Sequence, residues 1–191
     1  MRTVGGKCGR LNIEKLSKAV SHALRHEPWL YELELDDDGW VPIEDLLVAL
    51  RAESPDWASL RESDIAAMIA RSDKKRHELL GGKVRALYGH SVPNKLSRRP
   101  ALPPAILFHG TSPEAAQRIE VDGLRPMGRQ YVHLSADRAT AEKVGHRKAQ
   151  SPVLLQVHAG RANEEGVIFY RANEVTWLSD FVPAAFICRM E

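Results

Sequence analysis

A stretch rich in proline and basic residues, residues 92–104, divides this chain of 191 residues into two halves of different character. It contains four prolines and follows neither a helical nor a strand periodicity, so it predicts a semi-extended linker. A chain of this length can form one large domain or two small ones, and the stretch favours two. The expected organisation is an N-terminal lobe, a linker and a C-terminal lobe over residues 1–92, 93–104 and 105–191.

Three helices are predicted in the first half from the spacing of apolar residues. The first has the i, i+3, i+4, i+7, i+8 pattern of one buried face, at Leu16, Ala19, Val20, Ala23 and Leu24. The second has its apolar stripe at Ile43, Leu46, Leu47 and Leu50. Ser59 and Glu62 have capping-box spacing, which predicts that a third helix opens there and carries Ile65, Met68 and Ile69.

A hairpin is predicted after the third helix. Gly81 and Gly82 separate two short β-rich runs, residues 77–80 and 83–87. A Gly-Gly pair between such runs is typical of a two-residue turn. Three helices followed by a hairpin is the order of a winged helix, so we expect that fold for the first lobe.

The second half is predominantly β in character. The predicted strands are residues 106–108, 131–134, 153–157, 167–169, 175–178 and 184–188. Two helices interrupt them, one capped by Ser112 and Pro113 and ending at Gly123, the other over residues 137–148. Because the helices come early and the strands late, we predict an α+β fold rather than a doubly wound parallel sheet.

Charge and composition exclude several classes of protein. A net charge of +2 means that any binding of nucleic acid requires a local basic patch. No apolar run could span a bilayer, and the first ten residues, which we interpret as a short leader, lack the apolar core of a secretory signal. Two cysteines, Cys8 and Cys188, form neither a disulfide framework nor a zinc set. We therefore expect a cytoplasmic monomer with no membrane partner.

Candidate phosphate-binding residues form two groups in the first lobe. Arg25 and His26 end the first helix, where an arginine fork fits a phosphate and a histidine can move a proton. The same pair could instead only complement the helix dipole. The second group flanks the hairpin and comprises Lys75, Arg76, Arg85, His90 and Ser91. These residues could contact RNA phosphates, although such a charged wing could equally be just solvated.

Two segments of the second lobe combine histidine with hydroxyl groups. His109, Gly110 and Thr111 end a strand, where glycine lets the backbone approach a ligand closely. Tyr131, His133 and Ser135 alternate along a strand and so share a face, although a buried, satisfied histidine is the alternative. With no third ligand at typical spacing we exclude a metal site, and with no glycine-rich phosphate loop we exclude Rossmann and ATP sites.

Taken in order, these segments resemble the RNA 2′-phosphotransferase family, which includes the tRNA-splicing enzyme and its bacterial relatives. The matching strings are Leu-Arg-His-x-Pro at residues 24–28, Asp-Gly-Trp at 38–40, Ser-Asp-Lys-Lys-Arg at 72–76, Arg-Ala-x-x-Gly-His-Ser at 85–91, His-Gly-Thr at 109–111 and Tyr-Val-His-Leu-Ser at 131–135. Each motif alone is modest, but six in one order, from about Leu16 to Leu178, cover nearly the whole chain.

The resemblance implies a winged-helix RNA lobe, an ADP-ribosyltransferase-like lobe and a metal-free reaction that consumes NAD⁺. The 2′-phosphate of RNA would first be ADP-ribosylated with release of nicotinamide. The ribose 2″-hydroxyl would then attack the new phosphodiester, leaving 2′-hydroxyl RNA and ADP-ribose 1″,2″-cyclic phosphate.

The resemblance also implies roles for individual residues. Arg25, His26 and Arg76 would clamp the 2′-phosphate, and Arg129 would stabilise charge in the second step from the cofactor side. The segments at 109–111 and 131–135 would bind NAD⁺. Val175 stands where related transferases that modify proteins often carry a glutamate, which fits a substrate that is already a nucleophile.

Two positions depart from the family pattern, and two other functions remain open. His77 stands where the family often has an aromatic residue, and Tyr88 where it often has glutamine; we expect altered packing or RNA contacts and retained activity. One alternative is a nucleic-acid-binding regulator with an NAD-sensing lobe. The other is an enzyme that ADP-ribosylates other nucleic-acid phosphates. The physiological RNA need not be a tRNA.

Overall fold

The computed structural model describes residues 11–190, which fall into two compact units. The first unit ends at Val92 and the second begins at Pro93. The predicted leader and Cys8 lie outside the described residues. Residues 11–190 contain six α-helices and two sheets whose strands all pair antiparallel, so a mixture of helices and strands is confirmed and a doubly wound parallel sheet is excluded. None of the helices in this range has the length and apolarity that a membrane span requires.

The first unit contains the three helices and the hairpin that the sequence predicts. Its elements are α1 (Ile13–Arg25), β1 (Trp40–Pro42), α2 (Ile43–Glu53), α3 (Glu62–Ala70), β2 (His77–Leu80) and β3 (Lys83–Ala86). The three strands form one sheet in the order β1-β3-β2. The apolar stripes of the helices and Val84 of β3 are buried in one core.

The end of α1 determines where the first basic residues lie. The Asn12 side chain caps the start of the helix by accepting from the Lys15 backbone N–H at 2.9 Å. Pro28 begins a short 3₁₀ turn immediately after the helix, because proline cannot continue the helical hydrogen bonds. The helix therefore ends at Arg25 with His26 as its C-cap, and the two basic side chains are adjacent at its C-terminus.

The predicted capping box at Ser59 and Glu62 is wrong. The helix α3 begins at Glu62 itself, and the carboxylate that caps it belongs to Asp64, which accepts from the Arg61 N–H at 2.9 Å. Leu60 is 3% exposed and lies in the turn before the helix. Its carbonyl accepts two hydrogen bonds from the Arg51 guanidinium, and the helix begins two residues later than the local spacing indicates.

The second unit is built on a six-stranded sheet. Its elements are β4 (Leu107–Thr111), α4 (Pro113–Asp122), β5 (Val132–Ser135), α5 (Arg138–Gly145), β6 (Val153–Val157), α6 (Ala159–Glu164), β7 (Phe169–Arg171), β8 (Thr176–Ser179) and β9 (Ile187–Arg189). The strand order is β7-β8-β5-β4-β6-β9. The predicted cap at Ser112 is confirmed, since its side chain accepts from the Ala115 N–H at 3.3 Å. The second helix is capped by Asp137, which accepts from the Thr140 N–H at 2.7 Å.

Other predictions for this unit need correction. The sequence predicts two helices, but α6 is a third; it has six residues, too few to show a helical period, and is anchored by the buried Ala159 and Ala162. The predicted strand at 167–169 forms as β7 two residues later. The first half of the predicted strand at 184–188 is a 3₁₀ turn, Ala184–Phe186.

Residues 93–104 belong to the second unit. Leu96 is 4% exposed, Pro100 forms an antiparallel bridge with Tyr170, and the Ala101 N–H donates to the Phe169 carbonyl at 2.8 Å. This segment is therefore attached to the β7 edge of the sheet.

Candidate functional site

Arg25 is held from two sides within the first unit. Its guanidinium lies over the Tyr88 ring, 5.3 Å from the ring centre, and its Nη2 donates to the Arg76 carbonyl at 3.4 Å. Gly89 has a φ of +89°, and a β-carbon there would lie 3.4 Å from Arg25 Nη1. Glycine is therefore favoured at this position both by the backbone conformation and by the closeness of the guanidinium.

His26 is held by the same segment. Its Nδ1 lies 2.8 Å from Ser91 Oγ, and the Ser91 N–H donates to the Arg25 carbonyl at 2.9 Å. Ser91 thus fixes both the backbone and the ring at the end of α1. This contact explains part of the Gly-His-Ser motif as support for a neighbouring basic pair.

His77 lies beside both arginines. It is 5% exposed, and its Nε2 lies 3.2 Å from Ser21 Oγ. Burial and, to a lesser extent, the positive charges of Arg25 and Arg76 lower the pKa of His77 to about 3. The imidazole is therefore neutral at physiological pH. The structure thus places Arg25 and Arg76 near a buried neutral ring, and His26 is held beside Arg25 by Ser91.

The remaining residues predicted to bind RNA differ in their exposure and in whether their charge is already paired. Lys75 is exposed, as a phosphate contact requires. Arg85 is paired with the Glu78 carboxylate at 2.7 Å and stacks 4.3 Å from the Trp40 ring centre, so its charge is already compensated. His90 is 3% exposed and belongs to the interior, which argues against a direct contact with an RNA strand.

In the second unit, the ladder between β4 and β5 is short. Among the described residues the two strands pair at one position, Phe108 with Ser135, whereas β4 pairs with β6 at five. At the next residue of β4, a side chain and not the backbone contacts β5: His109 Nδ1 lies 2.9 Å from the His133 carbonyl. His133 Nδ1 in turn lies 2.9 Å from the Tyr131 carbonyl. Since carbonyls only accept, both Nδ1 atoms carry the proton.

The surroundings of His109 keep its ring neutral. Burial and then the Lys148 charge, with a smaller contribution from Arg129, lower the pKa of His109 to about 4, although the hydrogen bond to His133 opposes the shift. With Nδ1 as the donor, Nε2 of the neutral ring is a hydrogen-bond acceptor. His109 can therefore accept a hydrogen bond from a ligand hydroxyl.

Lys148 is a basic residue that the sequence interpretation missed. Burial and the neighbouring Arg129 charge lower its pKa, which shows that Lys148 and Arg129 lie close enough to interact. Both also act on His109. Lys148 follows α5 in a segment without any recognisable motif, so nothing in its local sequence distinguishes it from a surface lysine.

Gly110 allows close packing between β4 and α5. A β-carbon at Gly110 would lie 1.9 Å from the Ala141 carbonyl oxygen, so the absent side chain is what lets α5 pack against β4. The contact of a ligand with Gly110 stays a prediction, and the structure adds this packing role to it. Gly110 also lines a cavity of about 330 Å³, whose other walls include Arg138, Glu142 and Arg189.

The hydroxyl groups of the predicted NAD segments are less accessible than their histidines. Thr111, Tyr131 and Ser135 are 1%, 7% and 9% exposed. Val132 and Leu134, on the alternate positions of β5, are buried as well, so both faces of the strand are covered. The alternation of residues therefore does not single out a ligand-facing side. Within residues 11–190, no group of three His, Cys, Asp or Glu side chains is arranged to hold a metal ion.

Comparisons with known proteins match nearly the whole chain. The family model described as RNA 2′-phosphotransferase, Tpt1 / KptA family, matches residues 12–181. A probable RNA 2′-phosphotransferase of Bacillus thuringiensis subsp. konkukian is 55% identical over 172 residues, which are 90% of this chain and 92% of the relative. Another from Acetivibrio thermocellus is 49% identical over 177 residues, 93% of this chain and 97% of the relative.

A more distant relative extends the comparison to the archaea. Probable RNA 2′-phosphotransferase 1 of Archaeoglobus fulgidus is 36% identical over 177 residues, which are 93% of this chain and 81% of the relative. The matched range includes the residues around Arg25, those around Arg76 and the β4 and β5 segments. This chain therefore belongs to the RNA 2′-phosphotransferase family.

Proposed function

We propose that this protein removes an internal 2′-phosphate from RNA at the expense of NAD⁺. In the first step an oxygen of the 2′-phosphate forms a bond to C1″ of the nicotinamide ribose, and nicotinamide leaves. In the second step the ribose 2″-hydroxyl forms a bond to phosphorus, and the RNA 2′-oxygen leaves and takes up a proton. The products are RNA with a 2′-hydroxyl, nicotinamide and ADP-ribose 1″,2″-cyclic phosphate.

The observation that carries this proposal is the supported cluster of Arg25, His26 and Arg76 in the first unit. A phosphate dianion needs several donors whose positions are fixed before it binds. Arg25 is fixed by Tyr88 and the Arg76 carbonyl, and His26 by Ser91. The three side chains bind and orient the 2′-phosphate, and Lys75 contacts a neighbouring RNA phosphate.

Two observations in the second unit support the binding of NAD⁺. His109 offers a neutral acceptor, suited to a ribose hydroxyl, where the ladder between β4 and β5 stops. Lys148 adds positive charge beside it for an anionic ligand. NAD⁺ supplies the electrophilic ribose carbon and the leaving group.

The two steps make different demands on the basic residues. Arg25, His26 and Arg76 hold the phosphate for its attack, so they act in the first step. Arg129 is exposed and close enough to affect His109, and we assign it to the charge that develops during the second step. His133 and the backbone at 109–111 complete the NAD⁺ contacts.

Each of the two units has a proposed fold and a proposed ligand. The order of three helices and a hairpin with a three-stranded sheet supports a winged-helix RNA-binding lobe over residues 1–92. The antiparallel sheet and the helices of the second unit, with a short ladder beside two histidines, support an ADP-ribosyltransferase-like lobe over residues 105–191. Residues 93–104 are the connecting segment.

The experiment uses an oligoribonucleotide with one internal 2′-phosphate, incubated with NAD⁺ and followed for nicotinamide and for the RNA species. We expect stoichiometric nicotinamide, 2′-hydroxyl RNA and the cyclic product. Arg25→Ala should abolish nicotinamide release, and Arg129→Ala should release it while ADP-ribosylated RNA accumulates. The matched substrates are the same oligonucleotide with a 2′-hydroxyl and with only a 5′-phosphate.

Each alternative has its own signature in this assay. NAD⁺ binding without any nicotinamide release would indicate a regulator and refute the enzyme. Stable ADP-ribosylation of the 5′-phosphorylated strand, with the 2′-phosphate left intact, would indicate a transferase for other phosphates. Complete loss of the first step in both Arg25→Ala and Arg129→Ala would refute the division of roles.

A further inference from the structure

Arg129 lies on an exposed turn after α4. Met127 has a left-handed φ of 56°, and a β-carbon at Gly128 would meet nothing within 4 Å. Arg129 is exposed, and its N–H donates to the Pro126 carbonyl at 3.2 Å. A guanidinium that is to stabilise a transition state must be held before the reaction, so another part of the chain has to supply the rigidity.

The segment of residues 94–96, which we call the strap, supplies it through the residue after Arg129. The side-chain nitrogen of Gln130 donates to the Asn94 carbonyl at 2.7 Å. Its side-chain oxygen accepts from the Leu96 N–H at 3.2 Å. Both ends of one amide thus bind the backbone of the strap, which fixes the position and the orientation of Gln130.

Tyr131, the next residue, is attached to the strap as well. Its hydroxyl donates to the Leu96 carbonyl at 2.8 Å, and the Lys95 ammonium lies 4.7 Å from its ring centre. Tyr131 is 7% exposed, so its hydroxyl is committed to the strap and is buried with it. This contact differs from the NAD⁺ contact that the sequence pattern predicts for the same residue.

The strap is itself anchored to the sheet. Lys95 forms an ion pair with Asp180, which follows β8 directly. The other carboxylate oxygen of Asp180 accepts from the Tyr170 hydroxyl at 2.7 Å, and Tyr170 packs edge-on against Tyr131 at 5.2 Å between ring centres. The Arg129 loop is therefore connected through the strap to two strands.

We propose that the strap holds Arg129 in position for the second step, and that Gln130 and Tyr131 are its positioning residues. The proposal rests on the proposed function, because it needs Arg129 to act in transesterification. Two consecutive side chains fixed directly after Arg129 restrict the backbone that carries the guanidinium. Loosening either one should spread Arg129 over several orientations and weaken the stabilisation of charge without affecting the capture of the 2′-phosphate.

The test measures the two steps separately under single turnover in the full-length protein. Gln130→Ala removes both amide contacts, and Tyr131→Phe removes one hydroxyl. We expect each to slow the decay of ADP-ribosylated RNA by about 10- to 100-fold, since small displacements of catalytic groups have effects of this size. Nicotinamide release should stay within about 2-fold of the wild type, on the assignment of step one to other residues.

Tyr170→Phe is the matched control, because it deletes the same atom from a neighbouring tyrosine and leaves the bonds from Gln130 and Tyr131 to the strap intact. It removes one contact of Asp180 but keeps the ion pair between Lys95 and Asp180, so it should accumulate clearly less of the intermediate than Tyr131→Phe. A thermal melt of every variant separates positioning from general loss of stability. Accumulation in Tyr170→Phe equal to that in Tyr131→Phe would overturn the proposal.

A double-mutant cycle decides whether Gln130 acts through Arg129. In an Arg129→Ala background, Gln130→Ala should cause no further slowing of the second step, because the guanidinium that it positions is gone. Fully additive losses would overturn the positioning role. Wild-type protein that releases no nicotinamide would overturn the proposed function and this inference together. Intermediate accumulation in Arg129→Ala but not in Gln130→Ala or Tyr131→Phe would overturn the inference alone.

Discussion

The replacement of Gly110 by alanine tests the packing that positions His109. A β-carbon at Gly110 would lie 1.9 Å from the Ala141 carbonyl oxygen and 2.8 Å from the Gly145 backbone nitrogen. A carbon and an oxygen in close contact are normally separated by about 3.3 Å. The strand β4 and the helix α5 would therefore have to separate by about 1.4 Å, and neither obstructing atom belongs to a side chain that could turn away.

The expected cost follows from the kind of atom that obstructs the new methyl group. Overpacking a core costs about 1–3 kcal/mol when side chains can adjust, and a backbone obstruction belongs at the upper end. We expect the free energy of unfolding to fall by about 3 kcal/mol. In a unit of about 100 residues this corresponds to a fall in Tm of roughly 12–24 °C.

Two other glycines provide a graded comparison for thermal melts followed by circular dichroism and calorimetry. Gly145→Ala would place its methyl carbon 2.7 Å from Pro152 Cβ, a smaller overlap against a side chain, so it should be intermediate. Gly128→Ala would meet nothing within 4 Å and should leave Tm unchanged. A Tm of Gly110→Ala within about 2 °C of the wild type would refute the packing argument, since surface substitutions already reach that size.

Two further predictions concern the first unit. Ser91→Ala removes the 2.8 Å contact to His26 and should lower kcat/KM by about 10-fold with little change in Tm. The control Ser59→Ala, at an exposed turn, should change neither quantity. Equal activity of the two variants would refute the role of Ser91. His77 has a pKa of about 3 in the folded state, below the ordinary histidine value of 6.5, so between these two pH values the unfolded state binds more protons. The stabilising effect of a neutral His77 is complete above pH 6.5 and is lost as the pH falls towards 3. The free energy of unfolding, measured in urea, should therefore be lower at pH 5.5 than at pH 7.5. His77→Phe should make this difference between the two pH values smaller.

The helices of the first unit could be predicted because each buries one continuous apolar stripe. Leu16, Val20 and Leu24 have no exposed surface, as their spacing indicates. The start of α3 could not be predicted in the same way. Ser59 has the residue type and spacing of a cap, but Leu60 is held before the helix. Its N–H donates to the Trp57 carbonyl, and its carbonyl accepts from Arg51, a residue of the preceding helix that the cap pattern does not include.

The candidate site shows a similar division between residue identity and role. The motifs identify Arg25 and His26 without revealing that Tyr88 and Ser91 support them, because those contacts span more than sixty residues. The same motifs include Arg85, whose charge the structure pairs with Glu78. A sequence pattern reports that a basic residue is present, whereas its availability to a phosphate depends on which carboxylates fold against it.

The two departures from the family pattern lie beside one residue, although eleven positions separate them in the chain. The Tyr88 ring lies under the Arg25 guanidinium, and the charge of Arg25 is one cause of the lowered pKa of His77. Because His77 is buried and neutral, it adds no third positive charge to the pair of arginines and occupies the position much as an uncharged ring would. Tyr88 adds a stacking surface for the guanidinium. Both changes therefore alter the packing around Arg25 while leaving the charges offered to a phosphate unchanged, which is the outcome expected of substitutions that preserve activity.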